Sequence, residues 1–122
     1  MTWAVEYMEE YEEWWCTLDE ATQTEIMANI LVLQEVGPQL KRPRADTLKA
    51  SKHPNLRELR IQYCGDPYRV FYAFDPRRVA VLLLGGNKKG STDKQFYGAM
   101  IPAADAVYAR HLQSLKPMGP KK

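Results

Sequence analysis

The chain has 122 residues, which suits one domain with one core. Its 45% hydrophobic and 26% charged content argues against a disordered chain. Its longest apolar run, Val79 to Leu84, is far too short to cross a bilayer as a helix. The net charge of +2 conceals a division: residues 1–40 carry nine of the fifteen acids and none of the seventeen bases. The remaining six acids and all seventeen bases lie in residues 41–122, and such asymmetry points to a polyanionic partner for the basic part. Two isolated cysteines, Cys16 and Cys64, and no signal peptide fit a reducing cytoplasm.

Trp3, Val5 and Tyr7 alternate with other residues as in a short strand. Glu9 to Cys16 turns helical, with Tyr11, Trp14, Trp15 and Leu18 on one stripe. Thr17 and Glu20 have the spacing of a capping box for a second helix, whose buried face carries Ile26, Ile30 and Leu33. Gly37-Pro38 ends that helix, and the short link predicts a helical hairpin. Residues 38–55 read as an irregular basic loop. Three strands follow: Leu56 to Tyr63, Tyr68 to Phe74 and Val79 to Gly85, with turns at 64–67 and 75–78. Residues 85–90 read as a flexible basic loop. Thr92 and Gln95 form a capping box, and Gln95 to Leu115 is a final helix that Pro102 should kink or interrupt. Residues 1–116 are expected to form the single domain, and 117–122 a frayed basic tail.

Sheet register carries the functional expectation. A turn centred on Gly65-Asp66 pairs Tyr63 with Tyr68, Gln62 with Arg69, Ile61 with Val70 and Leu59 with Tyr72. The apolar pairs would form the face covered by the helical hairpin. Glu58, Arg60 and Gln62 then share the opposite, helix-free face with Arg69 and Phe71, the two arginines lying diagonally. The next turn pairs Phe74 with Val79 and Tyr72 with Val81, and sets Arg69 opposite Leu84. Arg60, Arg69 and the Lys88-Lys89 loop would therefore gather into one patch. Phe71 could stack a base or simply meet the final helix.

The stretch His53-Pro54-Asn55-Leu56-Arg57-Glu58-Leu59-Arg60, followed by Gly65 through Arg78, resembles the HigB-like branch of the RelE/ParE toxin superfamily. Gly85-Gly86-Asn87-Lys88-Lys89-Gly90 and Lys94-Gln95-Phe96-Tyr97 continue the likeness. The resemblance implies an α+β fold: an N-terminal strand and α-helical hairpin on one face of a small, mainly antiparallel sheet, with a C-terminal helix. It implies the toxin of a type II toxin–antitoxin pair, a ribosome-dependent endoribonuclease that cuts mRNA without a metal or other cofactor. Its partners would be the ribosome, mRNA and an antitoxin carrying a helix-turn-helix, with no membrane. His53 and His111 are the only histidines and belong to no cluster with metal-ligand spacing.

Cleavage at a 2′-hydroxyl needs a base, a holder for the phosphorane charge and an acid for the leaving oxygen. Arg69, then Arg60, are the candidates for holding that charge, because guanidinium stays ionised and grips phosphate bidentately. Tyr97, Lys88, Lys89 and His53 are the candidates for proton transfer, with Lys94 competing with Tyr97. A cationic surrounding would lower the pKa of Tyr97 or of the lysines. Lys41, Arg42, Arg44, Lys49, Lys52 and Arg57 are candidates for RNA backbone contacts. The acidic face at Glu9, Glu10, Glu12 and Glu13 would avoid RNA and could meet a basic antitoxin segment. Two alternatives stay open: a non-enzymatic ParE-like inhibitor of DNA gyrase, and a catalytically weak relative that mainly binds its antitoxin.

Overall fold

The structure, a computed structural model, describes residues 2–116; the expected basic tail lies outside the described residues. Strand β1 (Val5–Tyr7) leads into helices α1 (Glu9–Trp15) and α2 (Glu20–Val36). Strands β2 (Ala45–Thr47), β3 (Arg57–Tyr63), β4 (Asp66–Phe74) and β5 (Ala80–Asn87) follow, and helix α3 (Asp93–Ser114) ends the fold. The five strands form one sheet in the order β1-β5-β4-β3-β2. Only β1 runs parallel to its neighbour; the other pairings are antiparallel.

The sheet is covered on both faces. Ile26, Ile30 and Leu33 of α2 and Tyr11 of α1 pack on Leu59, Ile61, Val70, Tyr72 and Leu82, as the helical periodicity predicts. The other face is not helix-free. Phe96, Ile101, Ala104, Val107 and Tyr108 of α3 build a second core there with Phe71, Ala73, Val81 and Leu83. This double cover explains why β5 is apolar on both faces.

Local signals succeed or fail for identifiable reasons. Helix α2 is capped by Asp19, whose carboxylate accepts from the Thr22 N–H at 2.8 Å; the expected Thr17–Glu20 box does not form. Thr17 instead donates to the Trp14 carbonyl and closes α1. The Thr92–Gln95 box is present at the start of α3. Pro102 does not interrupt α3, which runs unbroken to Ser114. Both Pro102 and Gly98, whose carbonyl loses its donor, are exposed, so water can serve that carbonyl. Residues 45–47 are a sheet strand rather than loop, with Ala45 opposite Leu59.

Gly85 and Gly86 belong to β5, not to a flexible loop, and they are there for space. A Cβ on Gly85 would come within 2.4 Å of the Trp14 ring, and one on Gly86 within 3.0 Å of Met100. Gly37 meets both demands: its φ is +75° and a Cβ would sit 2.3 Å from the Trp3 indole nitrogen.

The turn from β4 to β5 is fastened to α3 by a buried carboxylate. Asp75 accepts from Nε2 of buried His111 at 2.9 Å, from the Arg77 guanidinium and from the Arg77 and Val79 backbone N–H groups. Burial alone would raise its pKa, but hydrogen bonds from His111, Arg77 and Val79 outweigh that and hold it below the ordinary 3.8.

Gly85→Ala should cost about 1–3 kcal/mol, because the Trp14 ring must move from a well-packed site. An unchanged urea midpoint would show that the ring yields freely. The Asp75 network also sets an acid limit. A depressed native pKa means that its contribution is complete above pH 3.8 and fades as pH falls through the lower native value. The melting midpoint of Asp75→Asn should thus fall less than wild type between about pH 6 and about pH 2; parallel curves would remove Asp75 from the linkage.

Candidate active groove

The β3–β4 hairpin turns on Cys64 and Gly65, both at positive φ, a two-residue turn that matches the strand twist. Tyr63 therefore pairs with Asp66, Ile61 with Tyr68, Leu59 with Val70 and Arg57 with Tyr72. The expected register was two residues away. A two-residue shift preserves which face each side chain occupies, so the expected faces hold. What changes is the spacing: Arg60 sits directly opposite Arg69 rather than diagonally.

The β4–β5 register differs by one residue at the turn. Asp75 N–H bonds the Val79 carbonyl and Arg78 adopts φ 65°, so Phe74 pairs with Ala80 and Tyr72 with Leu82. Val81 consequently faces α3, not the helical pair. An irregularity at Phe71/Tyr72 then turns both Leu83 and Leu84 toward α3 and brings Arg69 opposite Gly86. Lys88 thereby arrives beside the two arginines.

Two guanidiniums in direct cross-strand opposition repel. Glu58, on the same face of β3, separates their charges. Its Oε2 accepts from Nη1 of Arg60 at 3.0 Å, and its Oε1 lies 3.6 Å from Nε of Arg69. The Tyr97 hydroxyl, from the second turn of α3, donates to that Oε1 at 2.7 Å and accepts from Arg69 Nε at 3.1 Å. Arg69 also donates to the Tyr68 carbonyl at 3.0 Å. Burial and the bond to Glu58 raise the pKa of Tyr97 against the pull of Arg69, the reverse of the expected lowering.

These groups line a groove of about 440 Å³ together with Lys49, Lys88 and Asp93. Access to the cations is graded: the side chains of Arg69, Lys88 and Arg60 are 7%, 19% and 31% exposed. Each already contacts a carboxylate, Glu58 serving both arginines and Asp93 serving Lys88. Lys88 is ion-paired with Asp93, whose pKa that contact lowers. Arg42, at the rim, pairs with Asp46 at 2.9 Å.

Other expected residues lie elsewhere. Lys89 points out of the groove and pairs with Asp66 at 3.2 Å. His53 packs edge-on against Tyr108 in an adjacent cavity that also takes in Lys52 and Tyr97. Phe71 is fully buried against Phe96 and Tyr97, so it is not exposed for base stacking. Arg57 donates to the Pro38 carbonyl on the α2 side, and Arg44 to Asn29 of α2. Lys94 is exposed at the start of α3 and does not line the groove. Among the described residues no group of acids, histidines and cysteines has metal-binding geometry, and no helix is long and apolar enough to cross a membrane.

The residue that the sequence reading left without a role is Glu58. Its signal was available, since a carboxylate two residues before Arg60 shares its face. Only the corrected register shows that two arginines require it.

The architecture is that of the RelE toxins. A variant of the Escherichia coli toxin RelE in the free state superposes with TM-score 0.58 at 14% identity, covering 95% of this chain and all of that one. RelE in the archaeal RelE–RelB complex from Pyrococcus horikoshii does so with TM-score 0.55 at 18% identity, over 75% of this chain and all of that one. These likenesses define the fold. A family model described as phage-derived protein Gp49-like matches residues 13–109. Two Mycobacterium tuberculosis proteins named as toxins are closer in sequence. HigB2 is 40% identical over 116 residues, 94% of this chain and 57% of its own length. HigB3 is 38% identical over 102 residues, 84% of this chain and 87% of its own length. The chain belongs to the Gp49-like family, is similar to the HigB toxins in sequence, and has the RelE fold.

Glu58→Gln should destabilise the fold by about 3 kcal/mol, because it leaves two opposed guanidiniums beside a neutral amide. A wild-type urea midpoint would mean that Glu58 does not hold the arginines together.

Proposed function

We propose that this protein is the toxin of a toxin–antitoxin pair and an endoribonuclease that cuts mRNA on the ribosome. The observation that carries the reading is the convergence of Arg60, Arg69 and Lys88 on one groove with a carboxylate and a phenol between them. A phosphodiester seated there would replace Asp93 on Lys88 and reach the exposed edge of Arg60. The Glu58 carboxylate takes the proton of the 2′-hydroxyl, and the freed oxygen attacks phosphorus. Arg60 and Lys88 hold the charge that develops on the phosphorane oxygens, with Arg69 adding buried positive charge. The bond from phosphorus to the 5′-oxygen breaks, leaving a 2′,3′-cyclic phosphate. Tyr97, kept protonated by its raised pKa, gives its proton to the departing oxygen. The proton held by Glu58 returns to Tyr97 along their hydrogen bond. No step in this scheme uses a metal ion or cofactor.

The ion pairs within the groove support dependence on the ribosome. Free RNA must break ion pairs to enter, whereas RNA positioned by a larger assembly brings its binding energy with it. The RelE–RelB complex of the archaeal relative supports an antitoxin partner here as well. A second reading, a weak nuclease that mainly binds its antitoxin, is favoured by the burial of Arg69 and by the pairing of every groove arginine and of Lys88.

Expression in a bacterial host should stop growth and produce new mRNA ends inside codons. Arg60→Ala with Lys88→Ala should slow cleavage by about 100-fold or more and restore growth, as loss of transition-state charge stabilisation does. Growth arrest with intact mRNA and DNA damage would replace this reading with gyrase inhibition. Toxin-free growth on wild-type expression would favour the weak-nuclease reading.

A further inference from the structure

A second cleft, of about 680 Å³, lies where β3 begins and β4 ends. Lys41, Arg57 and Arg78 line it, with Pro38 and Phe74 among its walls. Among the described residues none of these three cations has a carboxylate within ion-pair distance, in contrast to Arg60, Arg69 and Lys88. The one carboxylate lining the cleft, Asp75, is committed to His111, Arg77 and two backbone N–H groups.

Two of the cations are held in place. Arg57 has one Nη fixed on the Pro38 carbonyl at 3.1 Å. Arg78 lies with its guanidinium carbon 5.2 Å from the centroid of the Trp3 ring. Its backbone adopts φ 65°, a conformation in which glycine would be at ease and an L-residue is strained. The strained turn thus presents a cation where a smaller residue would fit better.

We propose that this cleft is a second RNA-binding site that takes the phosphodiester backbone, a reading that rests on the proposed action on RNA. The cations would hold phosphates, and Phe74 and Pro38 offer an apolar wall to a ribose or base. Thr47, on edge strand β2, lines both the cleft and the groove, so one strand of RNA can pass over that edge from one to the other. The unpaired cations make the cleft the place where RNA docks at no cost in broken ion pairs. The groove, where Arg60, Arg69 and Lys88 already touch carboxylates, then receives the phosphate to be cut. The backbone could belong to mRNA flanking the cut or to ribosomal RNA, and both present the same chemistry.

The test is Arg78→Gly combined with Lys41→Ala. Glycine relieves the positive φ, so the melting midpoint should not fall, and two cations leave the cleft. Binding is read by fluorescence anisotropy with a labelled single-stranded oligoribonucleotide of about twelve nucleotides, and by co-sedimentation with ribosomes. In the mRNA case the oligonucleotide affinity drops and its dependence on log salt becomes shallower by about 1.4, two single-strand phosphate contacts. In the ribosomal case only ribosome binding weakens. Wild-type affinity and salt slope in both assays would overturn the proposal, as would an effect confined to binding of an acidic peptide such as oligoglutamate. The function itself is judged separately: Arg60→Ala with Lys88→Ala tests cutting, while the cleft pair tests docking. Loss of docking with unchanged chemistry in a pre-bound RNA supports the cleft even if the groove assignment fails.

Discussion

Two arginines facing each other across adjacent strands would normally push a hairpin apart. Here the repulsion is cancelled by the Glu58 carboxylate, which reaches Arg60 with one oxygen and lies near Arg69 with the other. Tyr97 closes the arrangement from above by bonding both Glu58 and Arg69. That hydroxyl ties α3 to the sheet, so the helix, the β3–β4 pair and the groove floor share one polar joint. Removal of any member would leave a buried charge or donor unsatisfied, and this holds the group to one geometry.

The placement of the catalytic candidates was largely readable from sequence, because side-chain face depends on register only modulo two. The hairpin register was off by two residues, yet Arg60, Arg69, Glu58 and Phe71 still fall on one face. Where the error was odd, at Val81, the side chain lands on the opposite face. An arginine at positive φ is what lengthens that turn, and no rule of composition favours it there. The helix-free face was misjudged for a related reason: apolar positions of α3 were visible, but nothing local says which sheet face a C-terminal helix covers.

Glycine misled the reading in an instructive way. Gly85-Gly86 has the local signature of a loop, but each hydrogen replaces a side chain that an aromatic ring needs to displace: Trp14 on one face, Phe96 on the other. Those demands come from residues some seventy positions upstream and ten downstream, beyond the reach of any window. The same strand then carries Asn87 into the sheet and delivers Lys88 to the groove, so ring packing decides where a functional cation stands.

Both outermost strands, β1 and β2, are only three residues long. A stray chain laid against either border would find a ladder too brief to offset the ordering of its own backbone. The long, apolar β4 and β5, which would otherwise nucleate fibrous stacking, are enclosed between these short borders and two helical layers. The molecule can therefore keep a strongly hydrophobic sheet in a crowded solution without inviting its own copies to extend it.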